Sequence, residues 1–244
     1  MKLSIYKSKE ELANEFAEWI SETIESTLQK QEYFTLALSG GETPQILYKK
    51  LATPEFKEKI NWKRVHIFWG DERVVPFNDD RNNAKIAYGL LLDHIGIPAA
   101  QVHMMRTGIE PVFAAKEYEK ILKTYFGNTI KSFDLILLGI GNDGHTLSIF
   151  PDSPLLEEEE QDWVSAVYNE KQQMYRITLT PVIVNLASRI AFMVAGSEKA
   201  KIVKEIIEGN YMPSTLPAQL IKPEKGELYW FLDKEAAGKL SNAG

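Results

Sequence analysis

The stretch Phe133-Asp-Leu-Ile-Leu-Leu-Gly-Ile-Gly-Asn-Asp-Gly-His-Thr-Leu-Ser-Ile-Phe-Pro151 decides how this chain folds. Its apolar run Leu135–Leu138 has the length and composition of a strand buried on both faces. Three glycines follow within six positions, namely Gly139, Gly141 and Gly144. Such density after a buried strand indicates a sharp turn or a close approach to the backbone. Because ligands in open α/β sheets bind outside the carboxyl ends of the strands, His145 at the exit of this turn is the leading catalytic candidate.

The three glycines also satisfy the G-x-G-x-x-G spacing of dinucleotide-binding loops. They lie past the middle of the chain, and no strand with a lone acidic residue follows about 20 residues later to hold a ribose. Nicotinamide binding is therefore an alternative with little support. A loop histidine judged alone is more often structural than catalytic, but the glycine turn and the loops described below favour catalysis by His145.

The composition excludes several classes of protein. The chain has 244 residues and shows no internal repeat, low-complexity tract or linker, so we predict one domain over residues 1–244. It has no cysteine, which excludes disulfides, a thiolate nucleophile and a cysteine metal site and fits a reducing compartment. Its 28 basic and 34 acidic residues give a net charge of −6, which argues against nucleic acid as the main partner.

Nothing in the sequence indicates a membrane. No apolar run approaches the roughly 20 residues that span a bilayer, and the N-terminus lacks the apolar core of a signal peptide. We therefore expect a soluble, cytoplasmic protein that makes no membrane contact. Anionic small molecules remain possible ligands, because a local basic pocket can exist in an acidic protein.

A second glycine loop follows the predicted strand Phe34–Leu38. It reads Ser39-Gly-Gly-Glu-Thr-Pro44, and Thr43 is a candidate N-cap for a helix with Pro44 at its first position. A glycine turn between a strand and a helix start presents backbone N–H groups and the positive end of the helix dipole, which together bind anions. We predict a phosphate site here, with an ordinary strand-to-helix turn as the alternative.

Charged side chains follow two further predicted strands. After the strand Val65–Trp69, Asp71 and Arg73 are candidates to hold a polar ligand, because arginine makes charge-assisted hydrogen bonds to oxyanions. A surface ion cluster is the alternative. After another buried strand, Lys199 lies in the first turn of a helix that Ser197 can cap. A cation there opposes the dipole by roughly a few tenths of a kcal/mol, so it indicates either an anion nearby or simple surface exposure.

The remaining segments continue an alternation of strands and helices. Ser8 and Glu11 form a capping box for a helix to about Lys30. We expect structural roles for the other three histidines, His66, His94 and His103. The other predicted segments are a helix ending near Ile95, a strand over Gln101–Met105, a helix over Pro111–Phe126, a solvated charge run at Glu157–Glu160, strands over Arg176–Thr180, Arg189–Val194 and Tyr229–Leu232, and a short terminal helix capped by Asp233.

Taken together, the loops resemble those of the 6-phosphogluconolactonase family over nearly the whole chain. Each motif alone is weak, but their order along the chain is specific. The matching segments are Ser39-Gly-Gly-Glu-Thr-Pro44, Asp71-Glu-Arg73 with Val75-Pro76, Gly139-Ile-Gly-Asn-Asp-Gly-His-Thr146 with Ser148 and Phe150-Pro151, Arg176-Ile-Thr-Leu-Thr180, Gly196 with Lys199-Ala200, and Pro217-Ala218.

The resemblance implies a fold and a reaction. The fold would be α/β, a single Rossmann-like three-layer domain with a mostly parallel sheet, similar to glucosamine-6-phosphate deaminase and ribose-5-phosphate isomerase. The substrate would be 6-phosphoglucono-δ-lactone, hydrolysed to 6-phosphogluconate in the oxidative pentose phosphate pathway. No metal and no organic cofactor is expected, and the protein would be a monomer or a small homo-oligomer.

The resemblance also implies roles for particular residues. His145 matches the proposed general base, and Asp143 would orient it or bind a sugar hydroxyl. Asp71 and Arg73 match an acidic and a basic residue that line the sugar site. The residues implied at the sugar phosphate are Ser39, Gly40, Gly41 and Thr43 by motif, with Arg176 and Lys199 by analogy and charge. Backbone N–H groups from Gly141 to Gly144 are candidate donors to the developing oxyanion.

Two departures and two rival functions accompany the resemblance. Asn82-Asn83 stands where the family often has Ser-Asn, and Leu147 replaces a commonly small residue, so either could alter affinity or substrate choice. One rival is a deaminase/isomerase that opens an aminosugar ring; its phosphate loop usually reads Thr-Gly-Ser-Thr-Pro, unlike the loop here. The other is a non-catalytic sugar-phosphate sensor, for which the chain shows no additional DNA-binding segment or basic face.

Overall fold

Buried apolar runs alternate with amphipathic helices along the chain, and each run becomes a strand. The computed structural model describes residues 1–127, 129–156 and 162–241. The strands are β1 Lys2–Tyr6, β2 Phe34–Leu38, β3 Val65–Trp69, β4 Asp71–Arg73, β5 Leu135–Leu138, β6 Val164–Asn169, β7 Met174–Leu179, β8 Arg189–Val194 and β9 Glu227–Asp233. The α-helices are α1 Lys9–Leu28, α2 Glu42–Leu51, α3 Pro54–Lys59, α4 Asn83–Leu90, α5 Pro111–Phe126, α6 Pro181–Val184 and α7 Ala200–Glu208.

The larger sheet has six strands in the order β1-β9-β8-β5-β2-β3, and every neighbouring pair is parallel. Strands β2 and β5 are buried along their whole length, as expected for a sheet covered on both faces. The predicted α/β fold with a mostly parallel sheet is therefore confirmed. Because the strands run in one direction, the loops that follow β2, β5 and β8 leave the same edge of the sheet.

A second sheet, of three antiparallel strands in the order β4-β7-β6, was not predicted. Its register places Asp71 opposite Thr178 and Arg73 opposite Arg176. The pattern of Arg176–Thr180 predicts β7, whereas Asp71–Arg73 carries no strand pattern because all three residues are charged. The pairing joins segments about a hundred positions apart, and it is this sheet that brings Arg176 to the loop after β3.

Two buried tyrosines hold the ends of strands that lead to functional loops. The Tyr48 hydroxyl donates to the Ser39 carbonyl at 2.5 Å and accepts from the Ser39 N–H at 3.1 Å. The Tyr118 hydroxyl accepts from Trp69 N–H at 2.9 Å and donates to the Trp69 carbonyl at 3.1 Å. Burial raises the pKa of both phenols, so each stays a neutral donor. The backbone after β2 and β3 therefore leaves the sheet in a defined direction.

Several predicted helix boundaries are corrected by the structure. The Ser8 hydroxyl accepts from the Glu11 N–H at 3.2 Å, which confirms that start, although α1 ends at Leu28. Thr43 does not cap α2: the helix begins at Glu42, and its N-cap is Gly41 at φ +101°. A short 3-10 helix, Ser197–Lys199, precedes α7, and Ser197 makes no capping bond to it.

Other predicted segments also differ. The strand expected over Gln101–Met105 reduces to one bridge, between Val102 and Ile67. The helix expected to end near Ile95 stops at Leu90, and a 3-10 turn follows. After β9 the chain forms turns instead of a helix, with the Asp233 carboxylate accepting from the Ala236 N–H at 2.7 Å. The charge run Glu157–Glu160 lies outside the described residues. No helix in the described parts of the chain is long and apolar enough to cross a membrane.

Two of the histidines other than His145 pack against each other: His66 lies on β3, and His103 lies in the segment beside it. His66 Nδ1 and His103 Nε2 lie 3.2 Å apart, and the Tyr125 hydroxyl is 2.9 Å from each. The His103 ring also stacks on Phe68, with 4.6 Å between centroids. This agrees with the structural roles expected for His66 and His103. Burial, and to a smaller extent His66, lowers the pKa of His103 to about 4 from an ordinary value of 6.5.

This pKa predicts a pH-dependent stability. Below about pH 6.5 the unfolded chain protonates His103 before the folded chain does, so the free energy of unfolding falls towards about pH 4. The contribution is at most about 1.4 kcal/mol per pH unit, the value for one proton. His103→Phe keeps the ring stacking. When the free energy of unfolding in urea is plotted against pH, the variant should have a smaller slope than the wild type between those pH values. Superimposable slopes for the wild type and the variant would contradict the prediction.

Candidate active site

A cavity of about 430 Å³ lies where the loops after β2, β3, β5 and β8 meet. Residues from the start of α4 and from around β7 also line it, so its walls come from segments far apart in the sequence, as expected at the carboxyl ends of parallel strands. The predicted site residues that line it are Ser39, Gly40, Gly41, Thr43, Asp71, Arg73, Gly141, His145, Arg176 and Lys199. Two predicted residues do not line it: Asp143 lies behind His145, and Gly144 is buried in the turn.

His145 is oriented by a carboxylate. Its Nδ1 lies 2.5 Å from Asp143 Oδ1, and this hydrogen bond lowers the pKa of Asp143 to about 2. Phe150 packs against the imidazole, with 4.6 Å between ring centroids. A carboxylate at Nδ1 keeps the proton on that nitrogen and leaves the lone pair on Nε2. Of the two roles open for Asp143, the geometry supports holding His145.

The glycines of this loop make room for the histidine. A Cβ on Gly141 would stand 2.0 Å from His145 Nδ1, which no side chain tolerates. Gly144 has φ +82°, and a Cβ there would meet Leu216 at 2.9 Å. The Gly141 N–H donates to the His145 carbonyl at 2.8 Å, and the Gly144 N–H donates to the Gly141 carbonyl at 3.1 Å. Both amides are therefore used inside the loop, which argues against these two N–H groups as oxyanion donors; the prediction of donors between Gly141 and Gly144 stays a prediction.

Another part of the cavity wall is cationic and polar. Lys199 is partly buried, its Nζ donates to the Ile140 carbonyl at 2.9 Å, and burial lowers its pKa. This supports the interpretation of Lys199 as a site residue over simple surface exposure. Gly41 at φ +101° turns the chain into α2. The glycine at position 40 is required, because a Cβ there would stand 2.3 Å from Asn83 Oδ1.

Asp71 and Arg176 form a buried polar pair beside the cavity. Asp71 Oδ2 accepts from the Ser148 hydroxyl at 2.6 Å and lies 3.8 Å from Arg176 Nη1. Arg176 is 5% exposed and its Nη2 donates to Gln172 Oε1. Its Nε is buried without a hydrogen-bond partner, and burial lowers its pKa. A desolvated guanidinium with an unused donor is prepared for an anionic or strongly accepting ligand.

Glu72 ties β4 to the start of α4. Its carboxylate accepts at 2.8 Å from the N–H groups of Arg73, Asn83 and Ala84. It is 1% exposed, and burial raises its pKa to about 7. A carboxylate at a helix N-terminus satisfies free amides and interacts favourably with the positive end of the helix dipole. Glu72 thus holds Arg73 and Asn83 in place while pointing away from the cavity.

Sequence reasoning did not assign Asn83 and Gln172 to the site. Asn83 donates from Nδ2 to the Asp71 carbonyl at 3.0 Å, and its Oδ1 is buried without a partner at the cavity. The Asn82-Asn83 pair stands out in the sequence, but a pair of asparagines is equally typical of a helix start, so the pair alone does not indicate a site residue. Gln172 lines the cavity, and its Oε1 accepts a hydrogen bond from Arg176 Nη2. Asn82 instead caps α4, accepting from the Lys85 N–H at 2.9 Å.

Leu147 is a strained residue in the cavity wall. It has φ +55°, which is unusual for any residue other than glycine. Its side chain fills the space over Gly70, where a Cβ would stand 2.6 Å from Leu147 Cδ2.

Among the described residues, no group of three or more histidine, aspartate or glutamate side chains is arranged to hold a metal ion.

The sequence model for glucosamine-6-phosphate isomerases/6-phosphogluconolactonase matches residues 7–230. The chain belongs to this family. Within it, the chain is 41% identical to the 6-phosphogluconolactonase of Haemophilus influenzae over 82% of its own length and 85% of that protein. It is 40% identical to the 6-phosphogluconolactonase of Synechocystis over 84% of each chain.

Solved structures from the family agree with the fold. The chain superposes on the 6-phosphogluconolactonase from Trypanosoma cruzi with a TM-score of 0.85 and 30% identity, covering 98% of this chain and 97% of that one. It superposes on a monomeric glucosamine-6-phosphate deaminase with a TM-score of 0.84 at 20% identity, over 98% of this chain and 100% of that one. The second likeness shows a common fold and nothing further.

Proposed function

We propose that this family member hydrolyses 6-phospho-D-glucono-1,5-lactone to 6-phospho-D-gluconate, a step of the oxidative pentose phosphate pathway. The observation that carries the proposal is that His145, held by Asp143, faces the same cavity as three cations, Arg73, Arg176 and Lys199. A base and a cationic wall in one cavity suit a neutral ester group attached to a phosphate. Relatives 40% and 41% identical to this chain are 6-phosphogluconolactonases, which supports the same assignment.

In this mechanism His145 Nε2 takes a proton from a water molecule as its oxygen attacks the lactone carbonyl. The bond from the carbonyl carbon to the ring oxygen then breaks. The proton returns from His145 to that oxygen, giving a hydroxyl and a carboxylic acid that ionises. A positioned general base contributes about 10²- to 10⁴-fold in rate. Asp143 stabilises the imidazolium that forms between the two proton transfers.

The phosphate would lie against the loop after β2 and the two cations opposite it. Ser39 and Thr43 offer hydroxyls, Gly40 and Gly41 let the backbone approach closely, and α2 directs its N-terminus at the loop. Arg176 and Lys199 supply the positive charge. Holding a remote phosphate orients the reacting carbonyl against the water, so its binding energy contributes to the rate.

The sugar ring would lie between the phosphate and His145. Asp71 accepts hydrogen bonds from ring hydroxyls, while Arg73 donates to ring or carbonyl oxygens. Arg73 Nε is buried and unpartnered, and its Nη1 donates to the Arg81 carbonyl at 2.6 Å, which fixes the guanidinium. The cysteine-free composition supports a cytoplasmic location for this activity.

The direct test follows the hydrolysis of two lactones, 6-phosphoglucono-δ-lactone and unphosphorylated glucono-δ-lactone. Lys199→Met should raise KM for the phosphorylated lactone by about 10- to 100-fold, the value of a lost charge-assisted hydrogen bond. The unphosphorylated lactone should be hydrolysed equally by both proteins. Neither protein should convert glucosamine 6-phosphate, which is tested as the substrate of the rival function.

The matched control is Lys201→Met, which removes an exposed lysine two positions further along the chain, at the start of α7. It should leave both lactones unaffected. Equal losses on the two lactones in Lys199→Met would show that Lys199 does not bind the phosphate. A wild type that does not accelerate hydrolysis over the spontaneous rate would contradict the proposed function.

A further inference from the structure

We propose that Ser148 is a positioning residue that sets the orientation of the Asp71 carboxylate. This inference rests on the proposed function, in which Asp71 binds the substrate ring. Ser148 is 0% exposed and lines no part of the cavity, so it does not touch substrate. Its hydroxyl donates to Asp71 Oδ2 at 2.6 Å. The bond joins two buried groups that lie 77 positions apart in the chain.

The two carboxylate oxygens of Asp71 have different surroundings. Ser148 Oγ and Arg176 Nη1 both approach Oδ2, at 2.6 Å and 3.8 Å. This leaves Oδ1 as the oxygen available to a substrate hydroxyl in the cavity. The backbone of Asp71 is also held, since its carbonyl accepts from Asn83 Nδ2 at 3.0 Å and its strand pairs with Thr178. Only rotation of the side chain remains to be restrained, and Ser148 provides that restraint.

Ser148 is itself rigidly placed. Its N–H donates to Thr178 Oγ1 at 3.2 Å, the same threonine that lies opposite Asp71 in the small sheet. A turn closed by Ile149 N–H on the Thr146 carbonyl at 3.0 Å presents Ser148 to this sheet. The positive φ of Leu147 falls inside the turn. Strain at such a residue persists where the surrounding contacts require it.

The turn begins directly after His145. The same short segment therefore carries the base at one end and the hydroxyl that holds Asp71 at the other. This arrangement fixes the distance between the group that activates water and the group that binds the ring. Without the Ser148 hydroxyl, Arg176 at 3.8 Å is too far to form a hydrogen bond with Oδ2. The carboxylate would then turn towards the cavity cations.

The test is Ser148→Ala compared with Ser21→Ala. Ser21 is 2% exposed on α1 and its Oγ has no hydrogen-bond partner, so it controls for deleting a buried hydroxyl away from the site. Ser148→Ala should lower kcat/KM for the phosphorylated lactone by about 10- to 100-fold, as expected for a misplaced binding group. Ser21→Ala should match the wild type. Wild-type activity in Ser148→Ala would overturn the inference.

A double-mutant cycle with Asp71→Asn separates positioning from a general structural effect. If Ser148 acts through Asp71, adding Ser148→Ala to Asp71→Asn should lower kcat/KM by less than about 2-fold. Equal fold-losses in both backgrounds would overturn the inference. If the wild type hydrolyses no lactone, the proposed function fails, and a crystal structure of Ser148→Ala decides the inference by itself: an unmoved Asp71 carboxylate overturns it and a rotated one supports it.

Discussion

His145→Ala should lower kcat/KM for 6-phosphoglucono-δ-lactone by about 10²- to 10⁴-fold, the contribution of a positioned general base. The His145 imidazole is the proposed base. Its position in the cavity is set by the 2.5 Å contact of Nδ1 with the Asp143 carboxylate. Removing the side chain takes away the proton acceptor and leaves the binding groups in place. The lactone is made in situ from glucose 6-phosphate, and spontaneous hydrolysis is subtracted.

The control is His94→Ala, which removes an exposed histidine in the 3-10 turn after α4 and should retain full activity. Circular dichroism and thermal unfolding establish that both variants are folded. Strong acceleration that survives His145→Ala would mean that another group activates the water, while the family assignment would stand.

Gly141→Ala should abolish most activity without changing any group that carries chemistry. The new methyl would stand 2.0 Å from His145 Nδ1 and 2.6 Å from Asp143 Oδ1, so the imidazole must leave its position between the loop and the cavity. A displacement of about 1 Å in a catalytic group can cost about 10²-fold, and we expect a loss of at least that size in kcat/KM. Affinity for the product, measured by calorimetry, should change far less.

Gly139→Ala is the matched control in the same loop. A Cβ at Gly139 would have Ser39 Oγ as its nearest neighbour, at 4.0 Å, so there is space for a methyl. Because this methyl would border the cavity beside Ser39, KM is expected to change, but kcat should stay within about 3-fold of the wild type. Equal losses of kcat/KM in Gly141→Ala and Gly139→Ala would mean that the loop needs glycines for their backbone freedom, and not because a glycine leaves space for the His145 ring.

Local pattern predicted the strands and the positions of the loops. The run Leu135–Leu138 is apolar throughout because both faces of β5 are covered, and glycines follow because His145 must pack against the backbone. Parallel strands then bring the ends of β2, β3, β5 and β8 to one edge. For that reason nine of the site residues predicted from the sequence line the cavity, while the tenth, Arg176, reaches it through the small sheet.

Contacts between distant segments could not be predicted in the same way. The pairing of β4 with β7, the hydroxyl of Ser148 on Asp71 and the amide of Asn83 depend on which segments meet, and short polar stretches carry no periodicity that reveals a partner. The acceptor of the Gly141 N–H, a carbonyl within the same loop, could not be predicted for a related reason.

The sequence by itself determined the parallel α/β core, the glycine loops and the chemical groups available at the edge of the sheet, because burial and backbone freedom act on neighbouring residues. The tertiary structure alone decided which of these groups face the cavity and which hold their neighbours. Asp143 and Ser148 are polar residues of one loop, yet the first contacts the His145 imidazole and the second the Asp71 carboxylate. The first contact is local to the loop, whereas the second depends on the position of the small sheet, and so on contacts between segments far apart in the chain.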